Sequence, residues 1–214
     1  MSDPRRAATL PVRFFARGAD VVARDLVGAL IVSTIDGQSV AGRIVETEAY
    51  LGYDDPASHG YRHRRHAQNQ ALYGPPGSWY VYRSYGMHWC ANLVCQAEGA
   101  GSAVLLRAVE PLDGFGLMRE RRRAQGLELL CAGPGRLCQA LGITRPGLDG
   151  RMMETSPVIV LPRNGWAGAV ETTPRVGITK AADWPLRFTA AGSHWVSRRA
   201  VSTKSVAARG HSRG

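Results

Sequence analysis

Two glutamates and a tyrosine alternate along one short stretch of the sequence, GRIVETEAYL at residues 42–51. In a β-strand, this spacing places Glu46, Glu48 and Tyr50 on one face and the intervening residues on the other. The two carboxylates would then lie about 7 Å apart. A carboxylate that aromatic neighbours partly desolvate can act as a general base on water, and two carboxylates at such a separation also fit the acid and base that cleave a glycosidic bond. The alternative is an exposed polar strand face, which would have no catalytic role.

Two more polar residues lie inside apolar runs. Asn92 interrupts HWCANLVC, and Arg107 interrupts AVLLRAV. A buried amide without a partner costs about 1–3 kcal/mol, and a buried arginine needs an anionic or carbonyl partner. Structural pairing with neighbours would explain either residue alone. Because Tyr80 and Tyr82 share a face of a nearby strand, the set predicts a pocket for a flat ring such as a base.

The elements that must position these residues follow from periodicity. Residues 14–32 have helical spacing, with Val21, Val22 and Leu26 near one stripe and Asp20 as a cap. Strands are predicted at 39–51 and 102–111, an aromatic hairpin at 78–95 that turns at Tyr85-Gly86, and helices at 113–125 and 134–142. The loop at 53–77 has a length typical of functional or disordered segments. Strands grouped in hairpins, with helices elsewhere, predict an α+β fold.

Length and charge restrict the class of protein. The 214 residues are enough for one domain with its own core, and the net charge of +10 favours a polyanionic partner, either nucleic acid or an anionic membrane. Apolar runs stay shorter than 18 residues, which predicts no membrane-spanning helix. The N-terminus lacks the pattern of a secretory signal, so we expect an intracellular protein. A flexible tail is expected at residues 1–10, a folded domain at 11–197 and a basic flexible tail at 198–214.

The four cysteines have spacings of C-x4-C and C-x6-C, which do not match the shorter knuckles of structural zinc sites. Their neighbours are apolar, which favours reduced, mostly buried thiols over a metal site.

Four motifs occur in series: GRIVETEAYLGYDDPASHG, YGPPGSWYVYRSYGMHWCANLV, VLLRAVEPL and CAGPGRLCQALGI. From about residue 14 to residue 196, the chain resembles the alkylpurine (3-methyladenine) DNA glycosylase family. Members flip a damaged purine out of duplex DNA and hydrolyse its N-glycosidic bond. The resemblance implies a single mixed domain with a curved antiparallel β-sheet core, flanking helices and a protruding β-hairpin.

The resemblance implies a base-excision-repair enzyme that acts on the 3-methyladenine, hypoxanthine and ethenoadenine class of lesions. Such an enzyme needs no metal and no cofactor. Its partner would be double-stranded DNA that contains damaged purines, and we expect a monomer without membrane association. We expect it in the cytoplasm in contact with the nucleoid, or in the nucleus if the source is eukaryotic.

Individual roles follow from matched positions in the family motifs. Glu48 matches the general base that activates water, and Arg107 matches an arginine near that water and the deoxyribose. Tyr50 and Tyr82 match opposite walls of the base pocket. Asn92 matches the residue that crowds the exocyclic amine of normal guanine.

Other matched positions contact DNA outside the chemistry. His59 matches a histidine at the pocket edge that contacts the flipped base. Tyr85, with Gly86 and Met87 beside it, matches a hairpin tip that enters the minor groove and fills the gap left by the flipped nucleotide.

Basic residues near these motifs are candidates for the DNA backbone. We expect phosphate contacts from the loop residues Arg62, Arg64 and Arg65, and from Lys180. The chain has two lysines, Lys180 and Lys204, and neither lies in the strand and hairpin motifs. Glycosylases that also cut the strand need an amine nucleophile, so a monofunctional, water-dependent reaction is predicted.

Two other functions fit parts of the pattern. A non-catalytic nucleic-acid-binding protein would use the aromatic rings and arginines without needing Glu48. A carbohydrate glycosidase would use Glu46 and Glu48 as its acid and base, although the charge of +10 and the tyrosine at the turn argue against it. Glu46 has no matched role in the family, and we expect it to be structural.

Overall fold

A computed structural model describes residues 9–197 of the chain. The expected C-terminal tail, 198–214, and most of the expected N-terminal tail lie outside the described residues. Leu10 was placed in the N-terminal tail, but it is buried and its N–H donates to the carbonyl of Val160. The folded part therefore begins before residue 11.

One curved antiparallel sheet of eight strands forms the centre of the fold, which confirms the predicted α+β class. The strands are β1 Leu30–Ser33, β2 Val40–Tyr50, β3 Trp79–Ser84, β4 His88–Cys95, β5 Ser102–Asp113, β6 Val158–Leu161, β7 Val170–Thr173 and β8 Arg187–Ala190. The order is β3-β4-β5-β2-β1-β6, with β8 paired to β2 and β7 paired to β8. One edge of β2 pairs with β5, and the other edge is shared between β1 and β8.

Helices flank this sheet. They are α1 Val12–Phe15, α2 Ala19–Leu26, α3 Phe115–Arg122, α4 Pro134–Leu141 and α5 Arg145–Leu148. The apolar face of α2 packs on β2, and α4 packs on β4 and β5. None of the helices between residues 9 and 197 is long and apolar enough to cross a membrane.

The predicted helix over 14–32 is shorter in the structure. The chain leaves the helix after Leu26, turns at Gly28 with a φ of 92°, and continues as strand β1. Val21, expected on the apolar stripe, is exposed, and Asp20 lies in the first turn without capping it. The cause is the short apolar run at residues 30–32, whose spacing fits a strand as well as a helix.

The β3–β4 hairpin has its tip at Tyr85-Gly86, as predicted. Tyr85 and Gly86 have φ values of 49° and 67°, and the N–H of Met87 donates to the carbonyl of Ser84 at 3.0 Å. Positive φ at both central positions belongs to the turn type that matches the twist of paired strands. The Tyr85 side chain is 87% exposed and that of Met87 68%, so the hairpin presents two large apolar residues to solvent.

The buried side chain of Asn69 holds the basic part of the long loop at 53–77. The Asn69 amide donates to the carbonyls of His59 and Arg64 at 3.3 and 2.8 Å, and its oxygen accepts the N–H of His66 at 2.8 Å. Because these bonds span the basic part of the loop, they fix the backbone that carries His59.

Candidate active site

Glu48 is a fully buried carboxylate held by three donors. Its Oε1 accepts the backbone N–H of Val176 at 2.8 Å, and its Oε2 accepts the Tyr50 hydroxyl at 2.9 Å and Arg107 Nη1 at 3.2 Å. An ionised carboxylate has about four acceptor positions. Among the described residues, donors fill three of them, two on Oε2 and one on Oε1.

Glu46 is also fully buried, so the alternative of an exposed polar face is wrong for both glutamates. Its carboxylate accepts Arg107 Nε at 2.9 Å, Arg187 Nε at 2.7 Å, and both the N–H and the O–H of Ser197 at 2.6 and 2.8 Å. Burial raises the pKa of Glu46, but Arg107, Arg187 and the hydrogen bond from the Ser197 N–H together outweigh this effect, and the pKa is lowered overall. This pairing is consistent with the structural role that we expected.

Arg107 reaches both carboxylates from a register irregularity between β2 and β5. Glu46 lies opposite Ala108 and Thr47 opposite Leu106, so Arg107 is the extra residue at the shift. Such bulges redirect side chains and are common beside active sites. Burial lowers the pKa of Arg107, but the two glutamates raise it by more than burial lowers it. The pKa is raised overall, which keeps the guanidinium charged. The anionic partner predicted for Arg107 is thus present.

A cavity of about 110 Å³ opens beside this cluster. It is lined by Tyr50, Ala57, Ser58, His59, Leu72, Tyr80, Tyr82, Asn92, Ala103 and Ile178. Tyr80 and Tyr82 are stacked with ring centroids 5.5 Å apart, and the His59 ring meets the Tyr82 ring edge-on at 4.5 Å. The Asn92 amide donates to the Tyr80 carbonyl at 3.0 Å, which satisfies the buried amide as expected.

Burial keeps the ionisable rings of this cavity neutral. It lowers the pKa of His59, and the nearby His66 lowers it further. It raises the pKa of Tyr50, an effect that the adjacent Glu48 reinforces. Burial likewise raises the pKa values of Tyr80 and Tyr82. The cavity therefore offers aromatic faces and hydrogen-bonding groups without a charge of its own near pH 7.

A second, wider cavity of about 440 Å³ adjoins the first and shares Tyr50, His59, Tyr82 and Ile178 with it. Its other lining residues include Arg107, Val176 and, at the hairpin tip, Tyr85. Glu48 lies directly behind this wall, because the three residues that bond to its carboxylate all line the cavity. The outer cavity thus connects the hairpin to the carboxylate.

A buried ion pair supports the pocket from behind. Arg175 binds Asp55 through both terminal nitrogens, at 2.5 and 2.9 Å, and its guanidinium lies over the Tyr50 ring at 4.8 Å. Asp55 also accepts the N–H groups of Leu51 and Ala57. One pair therefore ties the end of β2, the loop before His59 and the segment at Val176 together.

The structure brings six predicted site residues together and leaves the basic ones apart. The six are Glu48, Tyr50, His59, Tyr82, Asn92 and Arg107. The side chains of Arg62, Arg64, Arg65 and Lys180 are exposed and line neither cavity. Between residues 9 and 197, no three His, Cys, Asp or Glu side chains are grouped so that they could hold a metal ion. All four cysteines are buried, as predicted.

Comparison with known proteins identifies the family. The family model of methylpurine-DNA glycosylase matches residues 13–194, most of the chain. The chain belongs to the methylpurine-DNA glycosylase family. It is accordingly a DNA glycosylase, as its motifs implied.

Relatives of this glycosylase are similar over almost their whole length. A protein of Rhodopseudomonas palustris strain HaA2 is 49% identical over 185 residues, which cover 86% of this chain and 88% of the relative. A Nitrosospira multiformis protein is 49% identical over 187 residues, with 87% and 92% covered. A Methanoculleus marisnigri protein is 49% identical over 196 residues, with 89% and 100% covered. All three are named as inferred 3-methyladenine DNA glycosylases.

Sequence reasoning missed several residues of the glycosylase site. Val176 and Arg175 come from a loop that carried no motif, and Arg187 comes from a short strand near the end. Arg187 had a detectable signal, since it lies between apolar residues in PLRFTA just as Arg107 does in AVLLRAV. The backbone N–H of Val176 had none, because a main-chain donor is independent of residue type.

Proposed function

We propose that this glycosylase excises alkylated and deaminated purines of the 3-methyladenine, hypoxanthine and ethenoadenine class from duplex DNA. A water activated by Glu48 hydrolyses the N-glycosidic bond and leaves an abasic site. The observation that supports the proposal is the buried Glu48 carboxylate, whose three bonding partners all line the cavity that reaches the hairpin. Arg107, bonded to that carboxylate, lies where it would face the water and the sugar.

The inner cavity would receive the flipped base. Tyr50 and Tyr82 supply aromatic faces, His59 contributes an edge, and Asn92 narrows the space available to an exocyclic amine. Alkylation at a ring nitrogen makes the purine cationic and hence a good leaving group, and aromatic faces favour a cation electrostatically. The protein then mainly has to expose the bond, hold the water and stabilise an oxocarbenium-like sugar.

The hairpin would hold the duplex open. Tyr85 projects from a tight turn at the mouth of the outer cavity, with Gly86 and Met87 beside it. An aromatic wedge that enters from the minor groove replaces part of the stacking lost when a nucleotide leaves the helix. The ring would thus occupy the space that the flipped purine vacates.

Exposed cations would bind the DNA backbone. Arg62, Arg64 and Arg65 lie in the loop that leads to the pocket, and Lys180 lies in the segment that follows Val176. Contacts of this kind supply affinity without sequence preference and weaken steeply with salt. We infer a monomer that works inside the cell at the nucleoid. Light scattering of the free protein and of its DNA complex would test the monomeric state.

The reaction would be monofunctional. No lysine of residues 9–197 lines either cavity, and Lys180 is exposed. A strand-cutting glycosylase forms a Schiff base with an amine. Borohydride should therefore trap no covalent adduct between protein and DNA, and a trapped adduct would overturn this assignment.

One assay tests the proposal as a whole. Duplex oligonucleotides that contain hypoxanthine, 1,N6-ethenoadenine or an alkylated adenine are incubated with the protein, and alkali then cleaves any abasic site. We expect base release by the wild type and a rate about 10²- to 10⁴-fold lower for Glu48→Gln, which should still bind the lesion. Glu110→Gln, which alters a carboxylate on the same sheet that pairs with Arg43, is the matched control and should keep the wild-type rate. Release from none of the substrates, or undiminished release by Glu48→Gln, would contradict the proposal.

A further inference from the structure

Four buried side chains form a line of alternating charge that ends at Glu48. Arg187 Nε lies 2.7 Å from Glu46 Oε1, Glu46 Oε1 lies 2.9 Å from Arg107 Nε, and Arg107 Nη1 lies 3.2 Å from Glu48 Oε2. We call this line the charge chain. It contains two positive and two negative groups, so each carboxylate is balanced only as long as the whole chain is present.

The sheet topology assembles the charge chain. β2 carries both glutamates, β5 supplies Arg107 on one side, and β8 supplies Arg187 on the other. Ser197 adds two hydrogen bonds to Glu46 and accepts one from Arg107 Nη2 at 3.3 Å. The Arg107 guanidinium is therefore bonded by Glu46, Glu48 and Ser197 at three different nitrogens, which fixes its orientation.

We propose that Glu46 and Arg187 are positioning residues of the glycosylase reaction, which hold Arg107 against Glu48 and set the charge that Glu48 experiences. This inference rests on the proposed function, in which Glu48 must be ionised to activate water. Neither residue touches the cavities, so both act through Arg107. A purely structural ion pair would stabilise the fold without changing how the reaction depends on pH.

The other titratable groups around Glu48 leave its charge balance to the charge chain. Burial raises the pKa of Cys90 from β4, just as it does for the tyrosines of β2 and β3, so these groups are neutral near pH 7. The remaining groups that face this region are His59 in the loop, whose pKa is lowered by burial, and the cation Arg175 beside Tyr50, which is paired with the Asp55 carboxylate. Because all of these are common to the variants below, they cannot produce opposite shifts between them.

Removing the charge of Arg187 and removing the charge of Glu46 should shift the acidic limb of the pH–rate profile in opposite directions. Arg187→Gln removes a positive charge and leaves the two glutamates with Arg107 alone. The excess negative charge makes protonation of Glu48 easier, which moves the limb to higher pH. Glu46→Gln removes a negative neighbour and leaves Arg107 to Glu48 alone, which moves the limb to lower pH. Glu46 and Glu48 lie two strand residues and about 7 Å apart, so the shift in Glu46→Gln should be on the order of one pH unit. The shift in Arg187→Gln should have the opposite sign. The double variant, which removes one charge of each sign, should lie close to the wild type.

The experiment measures single-turnover base release from a lesion duplex between pH 4.5 and pH 8 for each variant, together with its thermal unfolding. Arg43→Gln and Glu110→Gln each remove one charge, positive or negative, from an ion pair between β2 and β5 that lies away from the cavities, and neither should move the limb. If Glu46→Gln fails to fold, Arg187→Gln and the double variant decide alone.

The outcomes separate this inference from the proposed function. If the wild type releases base and Glu48→Gln does not, the proposed function holds. If the acidic limbs of the two single variants then stay in place, or shift in the same direction, the charge-chain inference alone is overturned. If the wild type releases no base, the proposed function has failed first.

Discussion

Replacing Tyr85 by asparagine separates the stability of the hairpin from its proposed use as a wedge. Tyr85 has a φ of 49°, which an L-residue adopts at a cost of roughly 1–2 kcal/mol. Asparagine tolerates this conformation better, and Asn-Gly is the pair that such turns favour. Because the tyrosine ring is 87% exposed, the folded protein loses little packing. We therefore expect the free energy of unfolding to stay equal or to rise by up to about 1 kcal/mol.

The same substitution should weaken binding to damaged DNA. One stacked ring contributes about 1–3 kcal/mol, so Kd for a lesion duplex should rise roughly 5- to 150-fold. Fluorescence anisotropy at fixed salt measures this, with Glu48→Gln as the background so that the lesion stays intact. Tyr85→Trp, which keeps a large ring, should bind about as tightly as the parent.

The chemistry itself should remain in the Tyr85→Asn variant. On a duplex in which the lesion has no pairing partner, the base flips readily, and the single-turnover rate should approach that of the wild type. A Tyr85→Asn variant that binds the paired lesion within twofold of the parent would refute the wedge. A large loss of thermal stability would refute the reasoning about the turn.

Three further changes test separate features. Arg175→Met leaves Asp55 buried without its partner and should lower the free energy of unfolding by about 3–5 kcal/mol in urea denaturation. Adding Asp55→Leu to this variant should recover part of the lost free energy. Because burial lowers the pKa of His59 in the folded state, the unfolded chain takes up the proton first, and folded stability should decline as pH falls below about 6.5. His59→Gln should remove that part of the decline in thermal unfolding between pH 7 and pH 5, and an unchanged pH dependence would contradict it. Arg64→Gln should reduce the slope of log Kd against log salt by about one in an anisotropy salt series, and an unaltered slope would remove Arg64 from the backbone contacts.

The local features of the site were predictable from the sequence. Alternation in GRIVETEAYL placed two glutamates on one face of a strand, and the structure has both on β2, each bonded to Arg107. Asn92 and Arg107 stood out as polar residues in apolar runs, and each has the partner that burial requires. The Tyr85-Gly86 turn followed from its flanking strands. These predictions depend on neighbours in the chain, where the geometry of a strand is fixed.

The prediction from periodicity was wrong where both a helix and a strand fit the same residues. The apolar spacing at 14–32 predicted one helix, but Gly28 turns the chain and Leu30 begins β1. Competition between helix and strand for a short apolar run depends on which partner is available, and the partner here is β2.

The sequence by itself determined the family, the α+β class and the face of β2 that carries the carboxylates, because motifs and strand alternation are local properties. Only the tertiary structure decided what those carboxylates bind. Val176 and Arg187 lie more than a hundred residues from their glutamates. Arg187 reaches Glu46 because β8 pairs with the second half of β2, and the loop at Val176 is held near Glu48 by the bond from Arg175 to the Ala49 carbonyl of β2. A register shift of one residue brings Arg107 between the two glutamates, and such a shift is set by the packing of the whole sheet.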